Sequence, residues 1–291
     1  MIRALNNLKT VLLLGGLMGI CLLVGSQFGQ HGMLIGFLFG SLGSIISWFF
    51  SDKIAIAMMQ GQEVGPNTGG LEGEIYHLVD ELRQRAGLPM PKVYVCPQQA
   101  PNAFATGRSP SKAAVAVTRG ALELLSLDEL RGVMAHELAH VKNRDTLISC
   151  VAATIAGALA VVARMAFFFG GGNNREGGNP IAGLLALIFA PIAAVIIQAA
   201  ISRSREFVAD ADGAKIAGSP YGLMGALKKL DALSQRIPLD SPNPAQNNMF
   251  IVEPLTGGSI FNLFASHPPT EKRLAALAKL GEEMRARGVT A

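Results

Sequence analysis

The sequence predicts a mainly α-helical integral membrane protein that carries a small β-sheet, and three observations lead there. Hydrophobic residues make up 50% of the 291 positions while only 16% are charged, against about 25% charged in an ordinary soluble domain. Mean hydropathy is +0.36. The charge is also excluded in blocks, as lipid demands: the first acidic residue is Asp52, and no acid falls within 147–169 or 181–201. This composition rules out a disordered chain, a collagen-like repeat and a disulfide-rich scaffold. Cys21, Cys96 and Cys150 form no C-x-x-C pair, which argues against a thiolate metal cluster.

Four apolar blocks, 11–28, 33–50, 147–169 and 181–201, approach or exceed the ~18 residues that cross a hydrocarbon core as a helix. About four transmembrane helices are therefore expected. The first two form a hairpin over 1–51. A cleaved signal peptide is the alternative for the first block, but no A-x-A-like site follows it and a second apolar block begins almost at once. Lys and Arg flank the blocks at Arg3, Lys9, Lys53, Lys142, Arg144, Arg203 and Arg205, which places both termini and both large hydrophilic segments on the cytoplasmic side. The net charge of +4 suits contact with a phospholipid bilayer, and no Arg-rich stripe with interleaved aromatics points to nucleic acid. Arg164 is the only ionisable side chain within the blocks. A transporter would bury several, so that class is disfavoured.

The hydrophilic remainder comes as 52–146 and 202–291, separated by the hydrophobic pair and Gly-rich linker of 147–201. In the first piece a helix over 71–86 stops at Gly87, and 93–96, 102–106 and 114–118 have the β-branched content and breaker boundaries of strands. Ser126 and Glu129 then make an S-x-x-E capping box ahead of an apolar-periodic helix.

That helix carries HELAH at 136–140. His136 and His140 lie one turn apart on one face, so both imidazoles can reach a single Zn²⁺. Glu137 follows the first histidine, where a carboxylate can deprotonate a water brought to the metal. A catalytic zinc site needs a third protein ligand and an open position. Downstream, Glu206 and Asp210 share a helix face in SREFVADADGA. Glu206 can ligate while Asp210 holds the free nitrogen of a zinc histidine; the alternative is a solvated acidic face.

HELAH, the E-x-x-x-D of Glu206 to Asp210, NAFATG at 102–107 and SHPPTEKR at 266–273, taken in this order, resemble the HtpX-type membrane metallopeptidases. These belong to a clan that also includes the CaaX prenyl-protein endopeptidases. The resemblance covers nearly the whole chain. It implies a zincin-like catalytic domain on the cytoplasmic side of a bacterial cytoplasmic membrane, one Zn²⁺ per chain, and an endopeptidase acting on misfolded or damaged membrane proteins in quality control. It further implies that His267 assists at the substrate carbonyl and that Asn102 and Ala103, on an edge strand, contact extended substrate. On the residues alone, His267 also reads as the entry to a helix at Pro268–Pro269, and 102–106 as a plain edge strand. A processing protease for one lipidated or prenylated substrate, and a non-catalytic zinc-containing membrane scaffold, are the alternative functions. An intact Glu137 argues against the scaffold.

One expectation needs no family. Seven positions separate His140 from Leu147 and five separate Ile201 from Glu206. At ~1.5 Å per helical residue the site lies within about 10 Å of the ends of both blocks, hence at the membrane surface.

Overall fold

The computed structural model describes residues 29–146, 203–234 and 268–288, together with isolated helical positions between 11 and 26. The first long helix, α1 (Gly29–Met58), runs through Asp52 and Lys53 without a break. The block expected to end at 50 therefore continues into the hydrophilic piece, because no Pro or Gly occurs between 51 and 60 to stop it. The end of this segment is amphipathic: Ala55, Ile56 and Met59 bury themselves against Cys96, Phe104, Ala114 and Ala116 on the outer face of the sheet. Upstream, Leu34, Phe37, Leu38, Leu42, Ile45 and Phe49 remain about half exposed.

Among the described residues no helix is long and apolar enough to cross a membrane. Of the four expected spans only 33–50 lies wholly among those residues, where it is not confirmed, and most of 11–28 lies outside them. α1 divides its length between an apolar stretch and a charge-bearing end seated on the sheet, and the blocks 147–169 and 181–201 lie outside the described residues.

The sheet has the order β1-β2-β4-β3, from β1 (Gln62–Val64), β2 (Lys92–Cys96), β3 (Ala103–Gly107) and β4 (Ala113–Thr118). β2 and β4 run parallel, and the other two pairings are antiparallel. All residues of β4 are buried, as a strand covered on both faces requires. Val115 and Val117 point into the main core, and Ala114 and Ala116 point towards α1. The three strands read from the sequence appear within one residue of their expected limits. β1 was not expected: three residues with Glu63 in the middle carry no alternation to detect. Among the described residues β3 pairs on one side only, so it is an edge strand there.

The inner face of the sheet is covered by helices. α2 (Gly70–Ala86) ends where Gly87 adopts φ 68° and its N–H caps the Arg83 and Gln84 carbonyls. After the short α3 (Arg119–Leu124), capped by Thr118, comes α4 (Leu127–Asn143). Its capping box is complete: Ser126 Oγ accepts from Glu129 N–H, and the Glu129 carboxylate accepts from Ser126 N–H. α5 (Arg203–Ala217), α6 (Tyr221–Ser234) and α7 (Thr270–Ala286) complete the layer.

α4 is the central helix, with Val133, Met134, Ala135, Leu138 and Ala139 inaccessible to solvent. It packs on α5 and α6 through small residues. A Cβ on Gly132 would collide with the backbone of Leu223 in α6, and one on Gly213 of α5 would lie 2.9 Å from the Cα of His136. Alanine at 132 would gain up to ~1 kcal/mol in helix propensity. The obstructing atoms are backbone, however, so they cannot swing aside, and overpacking of this kind costs about 1–3 kcal/mol. Gly132→Ala is therefore expected to be net destabilising in chemical denaturation. Stability equal to or above that of the parent chain would contradict the packing described.

Candidate metal centre

Helical spacing alone places His136 and His140 on one face of α4, and their Nε2 atoms lie 3.1 Å apart. The rings meet edge to face, with centroids 4.7 Å apart and planes at 88°. α5 brings Glu206 opposite them. Its Oε2 is 3.5 Å from His136 Nε2, and its Oε1 is 3.5 Å from His140 Nε2. Four-coordinate zinc with bonds of ~2.0–2.1 Å requires donor atoms roughly 3.3–3.4 Å apart. The three residues could thus hold one metal ion between them. Glu137, also buried, is the next residue after the first histidine.

Charge supports the same conclusion. Among the described residues, the buried charged side chains are His136, Glu137, Asp145, Arg205, Glu206, Asp210 and Arg273. Excluding the histidine, four carboxylates face two guanidinium groups, an excess of two negative charges that a divalent cation would offset. His136 registers the shortage. Burial disfavours its charged form, yet Asp210 and Glu206 overcome that penalty and raise its pKa to about 10. A metal binds the unprotonated imidazole, so metal uptake weakens as pH falls.

The remaining groups hold this set in place. Asp210, one turn beyond Glu206, lies 3.0 Å from Nδ1 of His136. Its two oxygens accept from Arg273 of α7, at 2.9 Å from Nε and 2.7 Å from Nη2. Burial pushes the Asp210 carboxyl up, but Arg273 and His136 bring it down to about 2. Arg273 is only 1% exposed. Burial lowers its pKa, and Asp210, Glu206 and Glu137 raise it more, so the guanidinium stays charged. On the other histidine, Asp145 Oδ2 lies 3.2 Å from Nδ1 of His140.

The structure thus gathers His136, Glu137, His140, Glu206 and Asp210, which the sequence singled out. Asn102 and Ala103 lie at the start of β3, which packs against α4. The Asn102 N–H donates to Thr118 Oγ1 (2.8 Å) and its carbonyl accepts from Thr118 N–H (2.8 Å), so its backbone is turned towards β4. His267 lies outside the described residues. Asp145 and Arg273 are not singled out by the sequence, and Arg205 reads there only as a basic flank of the last apolar block, whereas the structure buries it. Arg273 ends the SHPPTEKR segment, but a lone arginine on a polar helix reads as solvated. Asp145 returns to His140 only because Arg144 leaves α4 at φ 60°.

Removing Arg273 would strand a buried carboxylate. Arg273→Met is expected to cost about 3–5 kcal/mol, the range for breaking a buried ion pair from one side. Because the Asp210 pKa in the folded chain lies below its ordinary 3.8, its stabilisation is present above that value and is lost as pH falls towards about 2. Acid unfolding of the variant should therefore begin at higher pH. An unchanged acid midpoint would contradict the pairing.

Known proteins share this arrangement of sequence and fold. A profile described as peptidase family M48 matches residues 71–280, which take in HELAH, Glu206, Asp210 and Arg273. The protease HtpX homolog of Sulfurihydrogenibium sp. is 49% identical, over 96% of this chain and 97% of its own length. That of Pyrococcus furiosus is 47% identical over 96% of each chain. Among solved structures, the crystal structure of S. mikatae Ste24p superposes with a TM-score of 0.50 at 19% identity. It aligns with 95% of this chain over 66% of its own length, a likeness of fold. With the family match extending over the entire candidate site and these relatives overlapping nearly end to end, the chain belongs to peptidase family M48 and is a metalloprotease.

Proposed function

We propose that this metalloprotease is a membrane-anchored zinc endopeptidase that cleaves misfolded or damaged membrane proteins. The observation that carries the reading is the trio of His136, His140 and Glu206, all donor atoms within 4.8 Å of one another, with Glu137 beside them. Those three residues would hold the zinc, which when bound supplies Lewis acidity towards a peptide carbonyl and acidifies a water. Glu137 would take the proton of the attacking water and return it to the departing amine. Asp210 keeps Nδ1 of His136 engaged, leaving Nε2 for the metal. The free edge of β3 supports binding of an extended peptide as an added strand, with Asn102 and Ala103 at its start. His267 is assigned to the oxyanion by resemblance alone.

The membrane setting is supported by the apolar side chains left exposed along α1. Asp145, just beyond α4, still touches His140. The quality-control role rests on the resemblance to HtpX-type proteases.

Hydrolysis of an unfolded, membrane-associated polypeptide tests the chemistry. Glu137→Gln should retain its zinc yet lose about 10²–10⁴-fold in kcat, the usual contribution of a positioned general base. A chelator should abolish cleavage by the parent chain, and added zinc should restore it. Activity indifferent to both treatments would refute the mechanism. Removing residues 1–50 tests the anchor, since Ala55, Ile56 and Met59 still cover the sheet. Cleavage of a bilayer-embedded substrate should fall well below that of a soluble unfolded one, and equal effects on both would overturn the anchoring role.

A further inference from the structure

Asp145 is 4% exposed and Arg205 is 7% exposed, and the chemistry proposed above uses neither. In sequence they stand on opposite sides of the apolar blocks 147–169 and 181–201. In space Arg205 Nη1 lies 3.6 Å from Asp145 Oδ1, while the other oxygen of Asp145 lies 3.2 Å from Nδ1 of His140. Two sets of hydrogen bonds shape the turn that makes this possible. Arg144 N–H caps the His140 and Val141 carbonyls at the end of α4, and Thr146 donates its hydroxyl to the Gly107 carbonyl at the end of β3, 2.9 Å away.

We propose that Asp145 is a positioning residue for His140, that Arg205 holds Asp145 in place, and that this pair fastens both flanks of the 147–202 segment to the metal centre. The proposal rests on the reading of His140 as a metal ligand. A neutral imidazole offers one nitrogen to a metal only when the other carries the proton. A carboxylate at Nδ1 accepts that N–H, fixes the ring and makes Nε2 a better donor. Such a carboxylate is costly to bury without a counter-charge, and Arg205 supplies it from the residue immediately before Glu206. One turn of α5 thus delivers a ligand and the support for another ligand. The same device stands behind the other histidine, where Asp210 faces His136 and is backed by Arg273. Each histidine has a carboxylate behind it, and each carboxylate has a guanidinium.

The test is zinc affinity of the full chain in detergent, measured by competition with a chelating dye and supported by the visible spectrum of the cobalt-substituted protein. Asp145→Ala should weaken zinc binding about 10–100-fold, the usual effect of losing such a partner, and should alter the cobalt spectrum. Asp145→Asn keeps the shape and removes the charge. It should fall between Asp145→Ala and the parent chain, and it serves as the measure if the alanine variant does not fold. Arg205→Lys should hold affinity near the parent value, whereas Arg205→Gln should not. Thermal unfolding without and with zinc distinguishes positioning from a purely structural role. Stranding Arg205 lowers the zinc-free midpoint of the Asp145 variants in either case, so the measure is the rise on adding zinc. Positioning predicts a smaller rise than in the parent chain, and a purely structural role an equal one. Affinities of the Asp145 variants within twofold of the parent, with unchanged cobalt spectra, would overturn the proposal. A parent chain that takes up no zinc would sink the metal reading, and this inference with it.

Discussion

The metal centre depends on how closely α4 and α5 approach. Neither helix holds a complete site: α4 supplies His136 and His140, and α5 supplies Glu206 and Asp210. For a glutamate side chain to reach between two imidazoles, the helix axes must be nearer than bulky side chains allow. Gly213 lies against the backbone of His136, and Ala135, Ala139, Ala209 and Ala214 are fully buried in the same core. Small residues at a helix crossing sacrifice buried area for proximity, and here the proximity sets the spacing of the ligands.

That approach brings together an unusual amount of charge. Among the described residues every buried ionised group belongs to this one cluster. Burying a carboxylate without a partner is costly, whereas a paired and hydrogen-bonded one is tolerated. Asp210 meets that requirement through two hydrogen bonds from Arg273, and Asp145 is paired with Arg205 across 3.6 Å. Glu206 and Glu137 account for the two excess negative charges, which is the deficit a divalent ion would fill. Stability and metal affinity are therefore linked.

The sheet has a narrower role. Its inner face supports α4, its outer face receives the end of α1, and β3 is its edge among the described residues. The same small sheet thus links the apolar helix to the helix that carries HELAH. Arg108 strengthens that link: it donates to the Phe49 carbonyl at 3.1 Å and stacks over the Phe49 ring, 4.7 Å from its centroid.

Local chemistry made much of this legible in the sequence. A capping box, a stop at Gly87, β-branched runs and histidines four apart act over a few residues, and each appears as read. β1 was too short to show a period. The extension of α1 was hidden because hydropathy marks where an apolar run ends, not where a helix does. Asp145, Arg205 and Arg273 were illegible for a different reason: in sequence a charged residue resembles any other solvated one. Their role depends on burial and on partners 60 or more positions away, as in Arg205 to Asp145 and Arg273 to Asp210. The sequence by itself determined which atoms could bind a metal. Only the tertiary structure decided which charges stand behind them, because side-chain type and helical spacing are local properties, whereas a counter-charge acts by distance through a buried, low-dielectric interior.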